Sequence, residues 1–161
     1  MPNIEANGLV LAYERLGDPT APALVLVMGL GMPLAAWPDS FVEGLITSGF
    51  QVVLFDNRDC GHSEKVNSRP RVNLPVAIGR AILRLKVRAP YTLADMAKDV
   101  IELLRALGIV RAHVVGVSMG GMIGQVMAAR FPDRVTSLTS IMASSGNPAV
   151  SLGKPGALRA L

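Results

Sequence analysis

Cysteine is almost missing from this 161-residue chain: Cys60 stands alone, so no intrachain disulfide can form. A single thiol fits a reducing compartment, and a cytoplasmic location is the expectation. Long hydrophobic runs are missing too. The uncharged stretch 21–38 is interrupted by Pro22, Gly29, Gly31, Pro33 and Pro38, so it reads as a buried strand and a turn, not a bilayer span. The first residues, Met1-Pro2-Asn3-Ile4-Glu5, lack the basic-then-apolar pattern of a signal peptide. Histidine occurs twice, at His62 and His113, and beyond Asp133 there is no Asp, Glu or His. Any chemistry that needs a carboxylate or imidazole after that point is therefore excluded from these residues.

What is present is apolar. Hydrophobic residues make up 50% of the chain, mean hydropathy is +0.41, and the length suits one domain with a sizeable core. The net charge is +4, and much of the basic excess lies between Lys65 and Arg88, a stretch without acids. Elsewhere the charges roughly balance, so nucleic acid is not an expected partner. Within that stretch, residues 74–88 suit a helix with Arg80, Arg84 and Arg88 on one stripe and Ile78, Ile82 and Leu85 on another. Such a helix suits an anionic membrane surface or a cover over a site entrance with its arginines solvated; the second reading is preferred, and no stable membrane insertion is expected.

Apolar segments alternate with helical ones. Residues 4–7 and 9–15 read as strands around the hairpin dipeptide Asn7-Gly8, and 23–28 as a strand buried on both faces. A helix is expected over 41–47, a buried strand over 51–56, and a helix after Thr92, with Asp95 completing a partial capping box. A strand over 112–115, a helix over 119–130 and a last strand over 135–143 follow. This alternation predicts an α/β fold: a mostly parallel sheet with helices on both faces. The final strand would be left as a bare edge.

The strongest chemical signal is Gly116-Val117-Ser118-Met119-Gly120-Gly121. Strand, Gly-x-Ser-x-Gly, helix is the layout of a nucleophile elbow, with Gly116 and Gly120 flanking a turn too tight for side chains. Ser118 is the candidate nucleophile. A dinucleotide site needs a second glycine where Ser118 stands, and a phosphate-binding P-loop needs a Gly-Lys-Ser/Thr that is absent, so no cofactor is expected. Met28-Gly29-Leu30-Gly31 follows the 23–27 strand, and there Leu30 N–H and Met119 N–H would form a two-donor oxyanion hole; the alternative is a flexible loop. After the next strand, Asp56, Arg58 and Ser63 are expected to tie down a tight turn, with Gly61 supplying an unusual backbone angle. His113 reads as a satisfied strand residue. His62 would have to reach across two strands, about 10 Å, to serve Ser118. Cys60 has no activating partner and reads as an inert thiol. No metal site is expected.

Taken together, these segments resemble the α/β-hydrolase superfamily. Val27-Met28-Gly29-Leu30-Gly31 resembles its oxyanion turn, Asp56-Asn57-Arg58 to Gly61-His62-Ser63 its post-strand turn, and Phe131-Pro132-Asp133-Arg134-Val135 the link after its elbow helix. Leu26-Val27-Met28-Gly29, Trp37-Pro38-Asp39 and Arg111-Ala112-His113-Val114-Val115-Gly116 are similar to the aclacinomycin methylesterase-like esterases of aromatic polyketide tailoring. Many members carry His-Gly at the oxyanion turn, where this chain has Met28-Gly29.

The resemblance implies a serine hydrolase of small-molecule carboxylic esters working through an acyl-enzyme on Ser118. It places a triad acid and a histidine downstream of the serine, and neither is found there. The expectation is thus that residues 1–146 form the N-terminal part of the hydrolase core, stopping after about the sixth strand, and that 147–161 start a lid. Alternatives stay open: an inactive fragment or binding scaffold needing a complementing C-terminal chain, self-association through the edge strand, or a C–C hydrolase or perhydrolase using the same serine.

Overall fold

The centre of the molecule is the strand Ala23–Val27, all five of whose residues are buried. In the computed structural model, which describes residues 1–66 and 89–146, the elements run β1 (Asn3–Ala6), β2 (Leu9–Leu16), β3 (Ala23–Val27), α1 (Asp39–Thr47), β4 (Gln51–Phe55), α2 (Leu93–Ala106), β5 (Ala112–Val117), α3 (Met119–Arg130) and β6 (Val135–Ile141). The sheet order is β1-β2-β4-β3-β5-β6. β3 lies parallel to both β4 and β5, and β6 is parallel to β5, whereas β1 and β2 join antiparallel at the other edge. The expected mostly parallel α/β sheet is thus present.

Local chemistry explains the boundaries. Asn7 and Gly8 take φ of 54° and 74°, the twisted turn that Asn-Gly favours, and bring Ala6 opposite Leu9. Asp95 N–H donates to Thr92 Oγ1 at 3.3 Å and Thr92 N–H to Asp95 Oδ2 at 2.7 Å, a full capping box at the start of α2. α1 begins at Asp39, two residues before the expected 41, because Pro38 acts as N-cap and its carbonyl accepts from Phe41 and Val42. β5 runs two residues past 115, since Gly116 and Val117 continue the ladder against Ser140 and Ile141. β6 stops at Ile141, before the expected 143, where Met142 turns to φ 50°.

Helices cover both faces. On one side, Val100, Leu103 and Leu104 of α2 and Ile123 and Met127 of α3 pack on Val25, Val27, Val53 and Val114. On the other, Val42 of α1 with Leu34 and Trp37 covers Leu24, Leu26, Val52 and Leu54. Burying each such side chain contributes roughly 1.5–3 kcal/mol. β6 pairs with β5 alone, and its outer edge has no partner among the described residues. The expected helix over 74–88 with its arginine stripe, and the expected lid start at 147–161, lie outside the described residues.

Candidate active site

β5 delivers Ser118 to the carboxyl end of the sheet, between strand and α3. Its backbone is at φ 55°, ψ −120°, a region that costs a non-glycine residue about 1–3 kcal/mol. The surroundings enforce it. Ser118 N–H donates to Ile141 O at 2.8 Å, and Ser118 O accepts from Gly121 N–H at 3.0 Å and Met122 N–H at 3.2 Å. Both peptide groups of the serine are therefore held, while its side chain is exposed and its Oγ has no hydrogen bond among the described residues.

The flanking glycines are required by contact. A Cβ at Gly116 would overlap Gly120 O and come within 2.6 Å of Gly121 N. A Cβ at Gly120 would overlap Val27 O, so the first turn of α3 rests directly on the end of β3. The same closeness brings the β3 turn to the serine: a Cβ at Gly29 would stand 3.4 Å from Ser118 Cβ and 3.8 Å from Ser118 Oγ. Leu30 follows, with 69% of its surface exposed. Neither Leu30 N–H nor Met119 N–H has an acceptor among the described residues. Met119 is the first residue of α3, so its free N–H is one of the orphan donors of a helix start.

The residues after β4 do more than the sequence discloses. Asp56, fully buried, accepts from Leu34 N–H at 2.6 Å and from His62 N–H at 2.8 Å. Asn57 Nδ2 donates to Met28 O at 3.1 Å. Ser63 Oγ donates to Asp56 O at 2.6 Å and accepts from Ala12 N–H at 2.9 Å, as expected for a tied turn. Arg58 departs from that expectation. It turns away to α2, where Nε and Nη2 each reach Asp99 at 2.6 Å, and its guanidinium lies 4.9 Å over the Tyr91 ring. The signal that could have found this is Asp99 itself, a charge among the apolar positions of α2. The Asp99 hydrogen bond, against the cost of burial, raises the Arg58 pKa. Burial, helped by a hydrogen bond to Asp59, pushes the Tyr91 phenol up to about 12. Burial first, and then the Asp56 charge, pushes the Cys60 thiol up, which makes it a poor nucleophile.

Neither histidine is brought to Ser118. His62 is 77% exposed along its side chain, its Nδ1 is 3.8 Å from Asp56 Oδ2, and β3 separates β4 from β5. His113 sits five residues before the serine, about 16 Å down an extended strand. Its Nδ1 is 2.8 Å from Ser137 Oγ and its ring meets Phe50 edge-on at 5.4 Å. Among the described residues, no group of three His, Cys, Asp or Glu side chains is placed to hold a metal ion, and no helix is long and apolar enough to cross a membrane.

Comparison with known proteins extends this geometry. A family model described as alpha/beta hydrolase fold matches residues 22–156. The rhodomycin D methylesterase DnrP of Streptomyces peucetius is 32% identical over 139 residues, covering 86% of this chain and 41% of the methylesterase. The crystal structure of the enol-lactonase from Burkholderia xenovorans LB400 superposes with a TM-score of 0.71 at 32% identity, covering 89% of this chain and 47% of that one. A hydrolase from Pseudomonas aeruginosa PA01 gives a TM-score of 0.71 at 30% identity, covering 98% of this chain and 49% of its own. The chain spans less than half the length of the curated methylesterase it matches.

Proposed function

The chain belongs to the α/β-hydrolase family, and on that premise we propose that it carries the nucleophilic half of a serine carboxylic-ester hydrolase. The observation that carries the reading is Ser118: a non-glycine residue at φ 55° between strand and helix, its backbone held and its Oγ exposed. In this reading Ser118 Oγ attacks the ester carbonyl carbon and loses its proton to a base. The carbonyl oxygen becomes an oxyanion held by Leu30 N–H and Met119 N–H. The alcohol then leaves with a proton, and water hydrolyses the acyl-enzyme. The exposed side chains of Leu30, Met32 and Met142, at the carboxyl ends of β3 and β6, favour a substrate with an apolar part. A small ester is the proposed substrate class, since the similar chains include a methylesterase and an enol-lactonase.

The reading calls for a base from elsewhere, because His62 is exposed beyond β3, His113 is paired with Ser137 down the strand, and no His follows Asp133. That observation also favours a second reading, in which the chain alone is an inactive fragment or binding scaffold. C–C hydrolase and perhydrolase chemistry would use the same serine. A fluorophosphonate probe separates active from inactive, with Ser118→Ala as control. Weak or absent labelling of the isolated chain is expected, rising when a polypeptide carrying the missing base is supplied. Rapid labelling of the chain by itself would defeat the inactive-fragment reading; labelling that survives Ser118→Ala would defeat the assignment of the nucleophile.

A further inference from the structure

The turn beside Ser118 is packed at its ends, where Met28 and Leu34 are buried against the sheet, but its middle has little of its own to hold it. Residues 28–34 contain Gly29, Gly31 at φ 69° and Pro33, and their one internal backbone hydrogen bond in the turn, Met32 N–H to Gly29 O, is long at 3.4 Å. Leu30 and Met32 are exposed, by 69% and 48%, so neither side chain anchors the turn by packing. Fixing such a backbone costs conformational entropy, and an unbraced turn would sample many orientations of its peptide groups.

Two consecutive residues of the neighbouring strand end grip it at both ends. β3 and β4 run parallel with Leu26 level with Leu54, which places Met28 level with Asp56. Asn57, 4% exposed, donates from Nδ2 to Met28 O at 3.1 Å and so fixes the peptide before Gly29. Asp56, with no exposed surface, accepts Leu34 N–H at 2.6 Å and fixes the peptide after Pro33. The second Asp56 oxygen takes His62 N–H at 2.8 Å, tying the same carboxylate to its own loop. Hydrogen bonds to a buried carboxylate are among the stronger ones a backbone can make. The Gly29–Leu30 peptide lies between the two clamps and beside Ser118.

We propose that Asp56 and Asn57 are positioning residues for the oxyanion turn: they clamp residues 28–34 from both ends and so orient Leu30 N–H toward the oxygen bound at Ser118. This rests on the reading of Ser118 as nucleophile and Leu30 N–H as donor. Neither residue touches the reacting atoms; each acts through the backbone it holds.

The test is backbone ¹⁵N relaxation on the intact 161-residue chain, which needs no catalysis. Wild-type order parameters at Leu30, Gly31 and Met32 should be near the rigid value of about 0.85. In Asn57→Ala they should fall below about 0.6 while those of β3 and β4 stay unchanged. Asn57→Asp keeps the volume and removes the donor, and should show the same local loss. A wild-type turn that is already flexible overturns the proposal without any variant. So does a rigid turn in a folded variant, or a loss spread evenly over the chain, which would mean a general structural role. Fluorophosphonate labelling of Ser118, in the chain complemented with its base, then tests the reading underneath. Asn57→Ala should slow it about 100-fold, the scale expected when a positioned group moves by about 1 Å. A loosened turn beside a serine that never labels, even when complemented, leaves the clamp standing and sinks the nucleophile reading instead.

Discussion

Arg58 grips Asp99 with two prongs, each N–O separation 2.6 Å, across the space between the end of β4 and α2. Their side chains are 9% and 3% exposed, and Asn7 Nδ2 adds a third hydrogen bond to Asp99 at 2.7 Å. Three segments distant in sequence thus meet on one carboxylate. Removing one partner strands a charge in a nearly dry place. Asp99→Ala should therefore destabilise the fold by about 3 kcal/mol, the lower part of the range for buried pairs, because Arg58 retains some solvent contact. Arg58→Lys keeps the charge but not the fork, and should destabilise by a smaller amount than Asp99→Ala. Urea denaturation of the two variants reads both values.

Tyr91 beneath the same guanidinium gives a pH dependence. Its phenol is raised from 10.0 to about 12, by burial first and by the hydrogen bond to Asp59 next. The folded state therefore holds this proton more tightly than the unfolded chain does. The associated stabilisation is complete below pH 10 and declines as pH climbs toward 12. Tyr91→Phe removes the titrating group, so its stability should change less with pH across that window than the wild type's. Parallel curves for the two proteins would contradict the assignment.

Two glycines should respond to alanine in opposite directions. In Gly120→Ala the new methyl meets Val27 O, which is backbone at the centre of the sheet and cannot swing aside. A loss of about 3 kcal/mol or more is expected, the upper end for overpacking. Gly44 sits within α1 with nothing within 4 Å of a built Cβ. Gly44→Ala should stabilise by roughly 0.5–1 kcal/mol through helix propensity. Thermal melts of the pair settle it.

The outer edge of β6, unpaired among the described residues, invites pairing. Thr136, Ser137, Thr139 and Ser140 are exposed, and the strand has neither Lys nor Pro to deter a second strand. Self-association that rises with concentration is expected on light scattering, and Thr139→Lys should suppress it. A monodisperse wild-type monomer at high concentration would count against this.

The sequence disclosed those parts of the fold whose cause is local. Asn7-Gly8 has its own turn, Thr92 and Asp95 cap one another three residues apart, and Gly116 to Gly120 form an elbow within a single turn of chain. Contacts between distant segments stayed hidden. Asn57 reaches back to Met28 and Arg58 forward to Asp99, separations of 29 and 41 residues; no short-range pattern marks the first, and only the charge at Asp99 among the apolar positions of α2 hints at the second. In sequence Arg58 looks like part of its own turn because it lies between Asp56 and Ser63. Its side chain instead leaves the turn for Asp99 on α2. The elbow's place was legible, and what braces the turn beside it was not.

The left-handed backbone of Ser118 makes the residue a thermodynamic liability where it stands. Glycine adopts φ 55° freely, so Ser118→Gly should raise folding stability by about 1 kcal/mol or more, provided the exposed Oγ contributes nothing to the fold. Few surface positions in a folded chain would improve on losing their side chain altogether. A calorimeter, with no substrate in hand, can thus ask whether this serine is kept for the fold or in spite of it.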